Sequence, residues 1–146
     1  MQKRIFLSYR RDDSAGESGR IRDRLVGEFG DDCLFMDVDG IPFGVDFIKR
    51  LNDEVASCDV LLAVIGRQWI DIRDADGQRR LDKPDDFVRV EISAALQRDI
   101  PLIPIVLNGA RIPSGELLPH EVCHRCLHSG AACTVSWWSV TLAQAG

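Results

Sequence analysis

Residues 85 to 107 read DDFVRVEISAALQRDIPLIPIVL, and the way this stretch divides decides the fold. From 86 to 98, apolar side chains recur at Val88, Ile92, Ala95 and Leu96, the i, i+4, i+7, i+8 spacing of one helix face. From 101 to 107, PLIPIVL is an almost unbroken apolar run of strand length, as suits a strand covered on both faces. A helix that leads directly into such a strand is half of a βα unit and predicts a parallel sheet. Pro84 followed by Asp85-Asp86 marks the helix start, because a proline and a side-chain acceptor both suit a helix entry. One residue breaks the stripe: Glu91 lies three after Val88 and four before Ala95, a carboxylate inside an apolar face.

The same alternation extends outward along the chain. RIFLSY (4 to 9), CLFMDV (33 to 38), DVLLAVI (59 to 65), PLIPIVL and AACTVS (131 to 136) read as strands. Helices fit between and after them at roughly 18 to 29, 46 to 57, 86 to 98, 117 to 127 and 137 to 144. Ser14 and Glu17 have capping-box spacing that would start the first helix early, while Gly16 and Gly19 weaken that turn. The expected architecture is α/β and flavodoxin-like: a three-layer sandwich with a five-stranded parallel sheet, order 2-1-3-4-5, and helices on both faces. Function is then expected at the carboxyl ends of the strands. The connection from Gly66 to Asp85 is long for a compact domain and reads as functional or mobile.

The 146 residues, 45% hydrophobic and 28% charged, suit a single globular domain over 1–146 with a sizeable core. A net charge of −5 argues against phosphate tracking, so nucleic acid is not an expected partner. Five cysteines without a regular framework, behind a start that lacks a signal-peptide pattern, point to free thiols in the cytoplasm. The longest apolar runs fall far short of the roughly 20 residues needed to span a bilayer, so no membrane association is expected.

Three segments could carry chemistry. SYRRDDSAGE, after the first strand, holds Arg10 and Arg11, able to grip a phosphate group or simply to pair with neighbouring carboxylates. DVDGIPFGVDF, 37 to 47, displays Ile41 and Phe43 among Gly40, Pro42 and Gly44, either as a contact surface or tucked beneath the loop. HEVCHRCLH, 120 to 128, crowds His120, Cys123, His124, Cys126 and His128 at spacings a metal could use, but lacks the distant second half of a structural zinc site. We therefore expect no metal there. The DVDG and DADG runs fail as calcium loops, since glycine comes fourth rather than sixth and no glutamate closes the loop. There is no GxxxxGKS, no GxGxxG after a strand and no GxSxG. A phosphoacceptor receiver needs an aspartate ending the third strand, where this chain has Ile65-Gly66-Arg67.

RIFLSYRRDD, FMDVDGIPFG, CDVLLAVIG, FVRVEISAAL and PLIPIV, in this order, resemble a bacterial TIR (Toll/interleukin-1 receptor) domain over essentially the whole chain. The resemblance implies NAD+ cleavage by one glutamate on the third helix, and Glu91 matches that position. It makes NAD+ a substrate, with no cofactor, and yields nicotinamide with ADP-ribose or a cyclic isomer. Arg10 and Arg11 are then expected at the diphosphate or in the cleft wall, and Phe87 on the nicotinamide or ribose, where the family often carries tryptophan. Asp39, Phe43 and Phe47 belong to a loop that closes the site or is completed by a neighbouring subunit. Gly40, Ile41, Pro42 and Gly44 match the family's assembly loop. Homotypic TIR–TIR assembly and a separate sensor or effector protein are the implied partners, in signalling or defence. The alternative is a non-catalytic module in which Glu91 is structural, paired with Arg98 or another arginine. Trp137-Trp138 stand where the family often has a tryptophan near its last helix.

Overall fold

A computed structural model describes residues 3–36, 45–107, 109–111, 113 and 117–119, with backbone alone at 45–47. Four strands, β1 (Ile5–Ser8), β2 (Leu34–Met36), β3 (Val60–Ile65) and β4 (Leu102–Val106), form a parallel sheet in the order β2-β1-β3-β4. Helices α1 (Arg11–Phe29), α2 (Val45–Ala56) and α3 (Phe87–Gln97) connect them. The expected strand order thus holds for these four strands. The fifth strand at 131–136 and the helices expected at 117–127 and 137–144 fall largely or wholly outside the described residues.

Alternation along the strands explains the layers. Phe6 on β1 and Leu61, Ala63 and Ile65 on β3 share one core with Leu51 and Val55 of α2 and Val88, Ile92 and Ala95 of α3. The intervening Ile5, Leu7 and Val64 are also buried, so they face the opposite layer, where right-handed crossovers put α1. Both faces of the central strands are therefore covered, which is why their sequences read as continuous apolar runs.

Pro104 lies within β4 without breaking the ladder. Leu61 N donates to Pro101 O and Leu107 N to Ile65 O, so the odd-numbered residues of β4 bond to β3. Pro104, an even position, has its missing N–H on the side away from β3, where no bond in this pairing is lost.

Two elements differ from the sequence reading. Helix α1 begins at Arg11, seven residues before the expected 18, and is kinked at Ser14 (φ −146°, ψ 30°). The Ser14 hydroxyl turns back to the Arg10 carbonyl (3.4 Å) and toward Ser18 Oγ (3.5 Å), and both serines are buried. The stretch from 66 to 85 is folded: Trp69 and Leu81 anchor it in the core, and Arg73 and Arg79 form an antiparallel bridge. Asp74 makes the turn between them. Its Oδ1 accepts from the amides of Asp76 and Gln78, both at 3.0 Å, and its Oδ2 from Lys83 Nζ at 2.8 Å. The Lys83 bond holds this carboxyl below its ordinary value, as Arg79 does for Asp82.

Helix α3 ends in a Schellman turn, with Ile100 N on Ala95 O (3.0 Å), Asp99 N on Leu96 O (3.4 Å) and Asp99 in the left-handed region (φ 59°). Ile100 then packs on the core and leads into β4.

Cys58, between α2 and β3, is buried, and burial pushes its thiol up to about 11. Because the thiolate is the reactive form, Cys58 is expected to be protonated and inert at pH 7.5. Peptide mapping after iodoacetamide treatment should show Cys58 modified only once the protein is denatured; rapid labelling of the native protein would contradict its burial.

Candidate functional site

The site is built where three chain segments meet at the carboxyl edge of the sheet. Arg10 follows β1 in extended backbone (φ −102°, ψ 124°), so it continues the alternation of Phe6 and Ser8 and faces inward beneath α3. Its guanidinium is buried. Nε donates to the carbonyl of Trp69 (3.1 Å), while Nη1 and Nη2 donate to the two carboxylate oxygens of Asp86, both at 2.8 Å. The guanidinium also lies 5.8 Å from the centroid of the Trp69 ring, within cation–π range.

Asp86 is the N-cap of α3. Its Oδ2 accepts from Arg89 N (3.1 Å) while also receiving Arg10, and its own carbonyl takes the first helical bond, from Val90 N (2.9 Å). Arg89 adds a second tie by donating to the Asp82 carbonyl (2.8 Å), which fastens the folded connection to the helix. The start of α3 is therefore fixed from below by β1 and from outside by the preceding loop.

That start carries the predicted pair. Phe87 and Glu91, at i and i+4, share a helix face and are separated by about 6 Å along the axis. Phe87 is 37% exposed and Glu91 only 6%, so the aromatic ring lies at the rim and the carboxylate one turn deeper. Val90 and Ala94 are buried as well as Val88, Ile92 and Ala95, so α3 is enclosed on more than the stripe read from its sequence. Glu91 is therefore not a solvated charge on an exposed face. Arg98, considered as a partner for a structural glutamate, donates from Nη1 to Ala94 O on its own helix (3.4 Å).

Two more buried polar atoms belong to β1 and to the segment that Arg10 meets. Ser8 Oγ and Trp69 Nε1 are buried and make no hydrogen bond among the described residues. Such atoms are uncommon in folded proteins. Asp13 shapes the neighbouring turn after β3, its Oδ2 accepting from Gly66 N (2.9 Å) and its Oδ1 from Gln68 N (2.8 Å). A Cβ on Gly66 would meet that carboxylate, so a side chain there would displace Asp13 from the two amides it binds.

Arg10, through Asp86, lies next to the start of the helix that carries Phe87 and Glu91. The Arg10 guanidinium, expected at a diphosphate or in a cleft wall, spends its fork on Asp86 and its Nε on the Trp69 carbonyl. Arg11, the first residue of α1, is exposed at the same edge. Asp39, Phe43, Gly40, Ile41, Pro42 and Gly44 lie outside the described residues, as do the side chain of Phe47, the 120–128 cluster and Trp137-Trp138. Sequence reasoning missed Asp86 as the partner of Arg10, and it missed Ser8, Asp13 and Trp69. The one available signal was parity: Phe6, Ser8 and Arg10 alternate, so an inward Arg10 needed an acidic partner.

Among the described residues, no helix is long and apolar enough to cross a membrane. A family model described as a TIR domain matches residues 5–130. Among solved structures, the chain is similar to the TIR domains in the structure of the activated Roq1 resistosome directly recognizing the pathogen effector XopQ. The identity is 13%, the match covers 84% of this chain and 69% of that one, and the TM-score is 0.55, a likeness of fold. No curated protein matches the chain.

Proposed function

Because the chain belongs to the TIR-domain family, we propose that it is an NAD+ nucleosidase with Glu91 as its catalytic residue. The observation that carries this reading is the placement of Glu91, 6% exposed, one turn below the rim aromatic Phe87 at the sheet's carboxyl edge. A carboxylate screened from water interacts several-fold more strongly with a nearby cation than one in solvent.

The chemistry needs little more. The bond between the nicotinamide nitrogen and ribose C1′ breaks with its electron pair leaving on nicotinamide, which departs neutral from a positively charged group. No general acid is required. Positive charge develops on the ribosyl carbon, and Glu91 stabilises it and orients the ribose hydroxyls. Water then adds at C1′ and gives up a proton, yielding ADP-ribose, or a nucleophile of the same molecule closes a cyclic isomer. Exclusion of water decides between them. Phe87 stacks on nicotinamide or ribose, and Arg11 faces the diphosphate. Asp39, Phe43 and Phe47 close the site, from the same chain or a neighbour, and Gly40, Ile41, Pro42 and Gly44 form the assembly loop. NAD+ is substrate and no cofactor is invoked; the reaction serves signalling or defence in the cytoplasm.

Burial of Glu91 is also what a structural glutamate shows, so the second reading is a non-catalytic module that assembles with other TIR domains or with a sensor protein. Incubating the purified domain with NAD+ separates the two. Nicotinamide release is expected, rising more than linearly with protein concentration because a site completed by a neighbouring subunit forms only on association. The similar Roq1 TIR domains belong to an activated resistosome, in line with that expectation. No release at any concentration, even with fused tandem copies, would leave the scaffold reading.

A further inference from the structure

A buried ion pair joins the end of β1 to the start of α3. The side chains of Arg10 and Asp86 are only 3% and 7% exposed, yet burying two charges carries a desolvation penalty that their attraction often fails to exceed. A well-packed apolar pair would serve stability as well. What an apolar pair lacks is direction: a planar guanidinium meeting a carboxylate through two parallel bonds fixes both the distance and the angle between their carriers.

Here the carriers are the end of β1 and the first turn of α3. Arg10 binds both oxygens of Asp86 at 2.8 Å and is itself oriented by the Trp69 carbonyl at 3.1 Å. Asp86 in turn caps the helix through Arg89 N. The rotation of α3 about its axis is thus set one residue before Phe87 and five before Glu91. A displacement of about 1 Å at a reacting group can lower a rate about 100-fold.

We propose that Arg10 is a positioning residue for Glu91: through Asp86 it sets the rotation and axial position of α3 against the sheet, and with them the aim of the carboxylate. This rests on the reading of Glu91 as the group that faces the ribosyl cation.

Arg10→Lys tests it in the full chain. Lysine keeps the charge and reaches one oxygen of Asp86, but loses the fork and the bond to the Trp69 carbonyl. The expected result is a folded protein whose amides at 89–92 exchange about 10-fold faster, with kcat for nicotinamide release down about 10- to 100-fold and KM changed less than 3-fold. If KM rises at constant kcat, Arg10 contacts NAD+ directly and the proposal is overturned. Unchanged exchange with unchanged kcat also overturns it. Should Arg10→Lys not fold, Asp86→Asn, which still caps the helix, is read by the same measurements. A wild-type protein that releases no nicotinamide rejects the NAD+ reading instead, and exchange at 89–92 in the variant then decides the positioning of α3 by itself.

Discussion

Glu91→Gln is expected to remove nicotinamide release almost completely, lowering kcat/KM by at least about 1,000-fold. The magnitude follows from the charge. A unit negative charge about 4 Å from a developing cation, at an effective dielectric constant near 20, contributes on the order of 4 kcal/mol, and each 1.4 kcal/mol is a factor of ten in rate. Glutamine keeps the shape and the orientation of ribose hydroxyls but not the charge, so the loss should fall mainly on kcat. The fold should survive, because a neutral amide in a nine-tenths buried position is easier to desolvate than a carboxylate. A thermal midpoint within a few degrees of wild type, together with lost turnover by chromatography, is the expected pair of results. Equal NAD+ turnover in the variant would end the catalytic assignment and favour a structural Glu91. A variant that fails to fold would show that Glu91 is needed first for packing.

That a carboxylate stood in an apolar stripe was legible from the sequence, as were the four described strands in their order and a helix start beside Pro84. These share a cause: each rests on local periodicity or on one capping side chain, and Asp86 caps α3 as the Pro84-Asp85-Asp86 run implied. What the sequence concealed was long-range. The N-terminal part of α1 has glycines at 16 and 19, a poor helical composition, yet it is helical from Arg11 because the buried Ser14 and Ser18 dock it to the rest of the domain. The stretch 66–85 looked loop-like by length, but one aspartate, Asp74, organises its turn and two buried side chains, Trp69 and Leu81, fasten it. Arg10 and Arg11 look alike in sequence, but Arg10 continues the strand's alternation and is buried, whereas Arg11 opens α1 and is exposed. The partner of Arg10 lies 76 residues away, across two strands and two helices, where no local pattern could indicate it.

The energetic weight of that partner can be measured apart from catalysis. Asp86→Ser keeps a good N-cap for α3 but removes the carboxylate that the Arg10 guanidinium meets in its buried position. Arginine cannot shed its proton as a buried lysine can, so the charge is left in place or must drag the segment toward solvent. Breaking one side of a buried pair in this way destabilises by about 3–5 kcal/mol. For a domain of this length, that lowers the thermal midpoint by roughly 10–20 °C. Arg10→Met/Asp86→Ser should behave differently. Methionine fills much of the arginine volume without a charge, serine still caps, and the bond to the Trp69 carbonyl is lost with the cation–π contact to its ring, a deficit of about 1–2 kcal/mol. The double variant is therefore expected to be more stable than Asp86→Ser alone, and with Arg10→Met measured to close the cycle the coupling should be at least about 2 kcal/mol in denaturant melts. Simple additivity would mean that the two side chains do not act as a buried pair. With coupling present, the double variant becomes the sharper reagent: its core is intact and its helix capped, but the angular restraint between β1 and α3 is gone. Low nicotinamide release from so stable a protein would then trace to the aim of Glu91 rather than to loss of the fold.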